Sequence, residues 1–285
     1  RVHVKKAFAE YTAAYNADDP KIKLKIDHTY RVAALCERIA KAAGMCAYDV
    51  ELAWLSGMLH DVGRFEQIKR YNTFSDADSV DHAKFGADLL FKDGLISTFL
   101  KGMVKCTGYK PGALEDRYGS DGVFLYDRLN KSDMEMLELA IRCHNMYRIP
   151  QGLNRREQAF CNVLRDADKV DIFKVNIDTP LEEIYNTTTE ELMKSDITDE
   201  VLKAFYEEHC ILKAIRRTPA DTVIGHVSLA YELVYDESVR ITVEQGYLGK
   251  LMYFHSDNEE TNRKMAMVRE KMDSYVKKRI GEKDA

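Results

Sequence analysis

The sequence predicts an all-α protein, and three observations carry that expectation. Apolar residues recur at three- and four-residue spacing along nearly the whole chain, which gathers them on one face of a helix. No stretch alternates apolar and polar residues long enough to read as a half-buried strand. Only 5 prolines interrupt 285 residues, with no low-complexity linker and no internal repeat.

The first two helices are expected over about 2–17 and 21–43, separated by the breaker Asp19-Pro20. In the second, His28, Val32, Leu35 and Ile39 share a face, so His28 points inward with the apolar stripe. A third helix, about 47–62, is apolar almost all round (Val50, Leu52, Ala53, Leu55, Met58, Leu59) and should be central, carrying His60 and Asp61 into the core at its end. The polar loop RYNTFSDADSV precedes a helix at about 79–93, on which His82, Gly86, Leu89 and Leu90 share a face. Residues 106–122, with their Gly, Pro and Tyr, read as an irregular excursion. Ser132 with Glu135 reads as a capping box opening a helix that carries Leu137, Ile141 and His144 in one stripe. Asn154 with Glu157 caps another, which holds Asp168 one turn after Leu164. Thr179-Pro180 starts a shorter helix, Thr198, Asp221 and Ser256 read as further N-caps, and an amphipathic helix over about 257–281 comes last. The expected organisation is an N-terminal helix (1–20), a main helical core (21–177) and a C-terminal helical extension (178–285) that covers the core or builds a homo-oligomer interface.

A hydrophobic content of 45% with 31% charged residues is ordinary for a globular protein, and the net charge of −5 advertises no surface for nucleic acid. No apolar run is long enough to span a bilayer, and RVHVKKAFAEY carries no signal-peptide apolar core, so no membrane partner is expected. Six cysteines are scattered without a C-x-x-C pair, which argues against a zinc ribbon or disulfide framework and for a reducing cytoplasm.

Against this background one set of polar residues stands out: His28, His60-Asp61, His82, His144 and Asp168, all at inward or helix-end positions. Imidazole nitrogens with carboxylate oxygens suit borderline divalent metals. A His-Asp dipeptide alone means little, since about one arises by chance in a chain of this composition. The signal lies in the flanks, WLSGMLHDVGRFEQ (54–67) and VLRDADKVDIFKV (163–175), which set acids and imidazoles within apolar helical stretches. Taken singly, each His reads as a hydrogen-bonded core residue, and Asp61 and Asp168 as partners of Arg64, Arg165 or Lys169. A dication would satisfy all six at once. The residues by themselves leave both readings open. His3, His209, His226 and His255 show no such neighbourhood.

DHTYRVAALCERIAKAAG, LAWLSGMLHDVGRFEQ, TFSDADSVDHAKFGADLLF, AIRCHNMYRIP and LRDADKVDIFKV, in that order, resemble the HD-domain metal-dependent phosphohydrolase superfamily over about residues 20–177. They are most similar to an uncharacterised bacterial branch with DIGRFEQ-, SVDHA- and RDADK-type segments, and residues 221–251 resemble the C-terminal part of that branch. The resemblance implies an HD-domain-like helical bundle in which His28, His60, Asp61 and Asp168 match a four-ligand signature. His82 and His144 stand where two-metal members bind a second ion, with Asp61 bridging; in single-metal members such histidines bind substrate phosphate instead. The segment between His82 and His144 is longer than in compact two-metal members. One or two divalent ions (Mn, Fe, Mg, Co or Ni) are implied as cofactor.

The activity implied is hydrolysis of a small phosphate ester, either a nucleotide-like phosphomonoester or a small phosphodiester, by a metal-activated water. Asp61 would serve in the catalytic centre, with Arg64 and then Lys169 as phosphate-facing cations; the alternative for both is an ion pair with Asp61 or Asp168. Asp81 with Asp78 reads either as a hydrogen-bond acceptor for His82 or as a helix N-terminal charge. Tyr71, Phe74 and Tyr109 would line the substrate mouth or anchor their loops. No phosphate-binding glycine loop is present, and neither Ser56 nor Cys143 has an evident catalytic triad. The same ligands also resemble HD-fold di-iron oxygenases acting on small polyols or phosphonates. A nucleotide-binding sensor is a third reading, disfavoured because all four core ligands are present.

Overall fold

The computed structural model describes residues 1–100 and 129–281, and within them every regular element is helical. The excursion 106–122, with Tyr109, lies outside the described residues. The chain divides into two compact units, Arg1–Leu164 and Arg165–Ala285.

In the first unit α1 spans Val2–Thr12, ending short of the expected 17, with the Thr12 hydroxyl donating to the carbonyls of Phe8 and Ala9 in its last turn. α2 (Pro20–Ala42) starts on an Asp19 N-cap that accepts from Lys21 N–H, with Pro20 in the first turn where its missing N–H costs nothing. α3 (Ala47–Leu59) is buried from Leu52 to Leu59 without a break, as its all-round apolar character requires of a central helix. It runs so close to α2 that a Cβ on Gly57 would lie 2.6 Å from Ala33 Cα. Glycine is required there by contact rather than by backbone angle.

The expected single helix over 47–62 is broken between α3 and α4 (Val62–Tyr71), because His60 caps α3 and Asp61, with φ −104° and ψ 15°, opens α4. The break lets two adjacent residues both turn their side chains inward. Phe65 fixes α4 against α1 through edge contacts to Phe8 and Tyr11, with centroids 5.8 and 5.9 Å apart. α4 ends at Asn72 in the left-handed region, a conformation asparagine tolerates. α5 (His82–Ala87) begins on an Asp81 N-cap and continues into a wide π turn, Asp88–Lys92. It crosses α4 at backbone contact through Gly63 and Gly86. α6 (Ile96–Leu100) follows. α7 (Lys131–Cys143) is opened by a capping box, but the pair is Asn130 and Asp133; Ser132 and Glu135 fall two residues too late and lie within the helix.

α8 (Arg155–Asp178) opens on the expected Asn154–Glu157 box, each side chain accepting from the other's backbone N–H. The division between the units falls within it. In the second unit, α9 (Leu181–Tyr185) follows Pro180, and α10 (Thr189–Lys194) opens on a Thr188–Glu191 box. Thr198 caps α11 (Asp199–Tyr206) as expected. Asp221 is not an N-cap but the reciprocal partner of Thr218 in the box that opens α12 (Pro219–Val227). α13 (Asp236–Gln245) is anchored at its start by buried Asp166, which accepts from the N–H groups of Val234 and Tyr235 and from Ser238 Oγ at 2.7 Å. α14 (Tyr247–Met252) leads to α15 (Glu259–Ile280), capped by Asn258 rather than Ser256 and burying Met265, Val268, Met272 and Val276. The cysteines among the described residues form no disulfide. Among those residues no helix is long and apolar enough to cross a membrane.

Candidate metal centre

Within the first unit, His28 on α2, His60 at the end of α3, Asp61 at the start of α4, His82 at the start of α5 and His144 at the end of α7 come together, each no more than 4% exposed. Four distant stretches of sequence thus deliver one cluster. The two oxygens of Asp61 divide it. Oδ2 lies 3.5 Å from His28 Nε2 and 3.6 Å from His60 Nε2. Oδ1 lies 3.5 Å from His82 Nε2 and 3.8 Å from His144 Nε2. Each oxygen faces its own imidazole pair.

The tautomers follow from what the other ring nitrogens touch. His60 and His144 each cap a helix, and each uses Nδ1 on a carbonyl of the last turn, Gly57 O at 2.8 Å and Ile141 O at 2.7 Å. Carbonyls of a last turn run short of helical partners, and the imidazole supplies one, at Ile141 beside the long 3.5 Å bond from the His144 backbone N–H. A carbonyl only accepts, so both Nδ1 atoms carry the proton and both Nε2 lone pairs look into the cluster. His82 Nδ1 donates to Asp76 Oδ2 at 2.7 Å. Burial, with Arg64 adding to it, pushes the His82 pKa down to about 4, so the ring is neutral at pH 7 and its Nε2 is also bare.

This arrangement fits a divalent metal. His82 and His144 point bare Nε2 atoms at each other across 3.1 Å, and the Nε2 atoms of His28 and His60 stand 3.3 Å apart. Two nitrogens each about 2.0–2.1 Å from one ion stand about 2.8–3.4 Å apart at octahedral or tetrahedral angles. Facing lone pairs repel unless a cation lies between them. Among the described residues Asp61 Oδ1 is buried without accepting any hydrogen bond, a costly condition for a carboxylate that a bound cation removes. Burial disfavours the charge on Asp61, but Lys25 above all, with Arg64, holds its carboxyl well below the usual range.

The surrounding shell differs from the sequence expectation in two residues, Asp76 and Lys25. The acceptor for His82 is Asp76, six residues upstream, rather than Asp81 or Asp78. Asp81 is the α5 N-cap, accepting from Lys84 N–H and from Asn145 Nδ2. Asp76 also accepts from Arg64 Nη1 at 2.8 Å and Gln67 Nε2 at 3.0 Å; against its burial, the His82 hydrogen bond, then Arg64 and Gln67, hold its carboxyl below the usual range. Arg64 further donates to Gln67 Oε1 and Phe74 O, and its Nε sits 3.8 Å from Asp61 Oδ1. Lys25, which the sequence reading passed over, places Nζ 2.7 Å from Asp61 Oδ2. Phe74 lies beneath both cations, its centroid 5.4 Å from Lys25 Nζ and 5.7 Å from Arg64 Cζ. Tyr71 stands at the exposed end of α4. Asp168 and Lys169 are carried by α8 in the second unit, where Asp168 is half-buried and Lys169 buried. Burial, then Arg165, lowers the Lys169 pKa to about 8, while Asp166 and Asp168 oppose that shift.

A family model for the HD domain matches residues 26–174, more than half of the chain. The chain belongs to the HD-domain family. The match spans every residue of the cluster together with Asp168. HD domains bind divalent metals and are typically metal-dependent phosphohydrolases, which places this chain among proteins of metal-dependent hydrolase type. Neither a curated protein nor a solved structure matches the chain.

Proposed function

We propose that this HD-domain protein hydrolyses a small phosphate ester at a centre where His28, His60, Asp61, His82 and His144 would hold two divalent ions. The observation that carries the reading is the division of Asp61, one oxygen toward His28 and His60 and the other toward His82 and His144. Asp168 is retained as a further ligand on the family signature alone. When bound, the ions supply Lewis acidity, activating water and neutralising charge on the phosphoryl group.

The chain's own residues prepare that chemistry. The Nδ1 bonds of His60, His82 and His144 fix three imidazoles as donors before any ligand arrives, so no tautomer change accompanies binding. Asp76 raises the donor strength of His82, and Arg64 balances its charge. Burial of Asp61 and the four histidines keeps bulk water from screening their field. The acidic net charge of the chain favours a small phosphorylated substrate over a long nucleic acid.

The test is phosphate release from a panel of small phosphomonoesters and diesters, run without oxygen and with Mn²⁺, Mg²⁺ or Co²⁺. Turnover that disappears in Asp61→Ala supports the proposal. Substrate consumption that requires iron and O₂ and releases no phosphate would replace it with oxygenase chemistry.

A further inference from the structure

Two cations of the first unit reach the centre, and they differ in what holds them: Arg64 is tied to the loop through Nη1, its Nε buried without a hydrogen-bond partner among the described residues, while Lys25 is held by Asp61. Arg64 is 14% exposed at its side chain, and its Nη1 is shared among Gln67 Oε1, Phe74 O and Asp76 Oδ1 at 2.7–2.8 Å. That guanidinium braces the loop and the Asp76 carboxylate. Lys25 sits on α2 one turn before His28, its side chain 17% exposed. Among the described residues its ammonium touches Asp61 Oδ2 at 2.7 Å and lies over the Phe74 ring. An ammonium has three N–H donors, so one is spent on Asp61 and others are left at the lip of the centre.

Charge counting points the same way. At the cluster in the first unit, Asp61 and Asp76 contribute two negative charges, which Lys25 and Arg64 balance. Divalent ions therefore add positive charge that these side chains do not cancel, and a phosphate dianion is the ligand that does.

We propose that Lys25 is the substrate-binding cation of the centre, donating to a phosphate oxygen while it remains on Asp61 Oδ2, and that Arg64 instead positions Asp76 and the loop. This assignment rests on the phosphohydrolase reading. The competing role for Lys25, as a brace that only steadies Asp61, predicts an opposite metal response. Losing a brace loosens a ligand, whereas losing a neighbouring positive charge strengthens that ligand for a cation.

The experiment titrates the full chain and its Lys25→Met and Lys25→Arg variants first with Mn²⁺ alone, then, loaded with Mn²⁺, with inorganic phosphate. Lys25→Met should bind Mn²⁺ at least as tightly as the parent and phosphate about tenfold to a hundredfold more weakly, the loss expected of one charge-assisted hydrogen bond. Lys25→Arg should recover most of the phosphate affinity. Unchanged phosphate affinity in Lys25→Met overturns the assignment, as does a joint fall in Mn²⁺ and phosphate affinity that Lys25→Arg does not relieve. If the parent itself binds Mn²⁺ but no phosphate, the phosphohydrolase reading falls and takes this assignment with it. If the parent binds both and Lys25→Met matches it, only the assignment falls.

Discussion

Gly63→Ala probes how the fold builds the centre without touching any ligand. Gly63 lies in the first turn of α4, where a Cβ would stand 2.4 Å from His82 O, 2.7 Å from Gly86 N and 2.9 Å from Gly86 Cα. All three are backbone atoms, so no rotamer change relieves the contact. Reaching even the 3.4 Å at which ordinary contact begins means moving α5 by 1.0 Å, the difference between 3.4 and 2.4. α5 carries His82, whose Nε2 faces that of His144 at 3.1 Å and whose Nδ1 holds Asp76 at 2.7 Å. Overpacking costs about 1–3 kcal/mol, and a backbone clash belongs at the upper end. For a domain of this size each kcal/mol lowers the Tm by roughly 2–4 °C, so a fall of about 6–12 °C is expected. The assay pairs thermal unfolding, followed by circular dichroism, with Mn²⁺ content per chain. Gly249→Ala is the control, because a methyl there meets nothing within 4 Å and should leave the Tm level or slightly raised. A Gly63→Ala protein with the parent's Tm and full metal content would refute the claim that the α4–α5 contact sets the position of His82.

Further expectations concern the shell and the second unit. Asp76→Asn removes the charge that orients His82 and pairs with Arg64, and should weaken Mn²⁺ binding by about tenfold to a hundredfold in direct titration, with helix content unchanged. His226, on α12, has its pKa pushed down to about 3 by burial, with Arg216 and Lys213 adding to the effect, while its Nδ1 is buried without a partner among the described residues. The unfolded chain therefore binds a proton that the folded chain refuses between about pH 6.5 and 3. Its contribution is complete above 6.5 and is lost as pH falls, at about 1.4 kcal/mol per unit. Urea midpoints at pH 7 and pH 5 should differ less in His226→Gln than in the parent; equal differences would show that His226 does not titrate as described.

Local pattern revealed some of this molecule and tertiary contact decided the rest. The uninterrupted apolar character of α3 announces a central helix, and the histidines on apolar faces announce the cluster. The break between His60 and Asp61 is invisible in that pattern, because hydrophobicity continues across it; it comes from His60 taking the Gly57 carbonyl. SDADSVDH offers three carboxylates that His82 could use, and only the loop path fixed by Arg64 and Gln67 selects Asp76. Lys25 follows Lys21 and Lys23 on α2 and looks like one more solvated lysine, yet it alone shares the face of His28 closely enough to reach Asp61. Asn130 displaced Ser132 as the cap of α7 because both residue types can cap, and the register two residues earlier also gives Tyr48 the Asp133 carboxylate.

The central claim is that the cluster around Asp61 would hold two divalent ions, and metal content per chain measures it most directly. Elemental mass spectrometry on the full chain, after incubation with Mn²⁺ or Fe²⁺ and removal of excess, should find about two ions in the parent. It should find about one in His82→Ala and none retained in Asp61→Ala. A parent that holds no metal, or an Asp61→Ala protein that holds as much as the parent, would contradict the account.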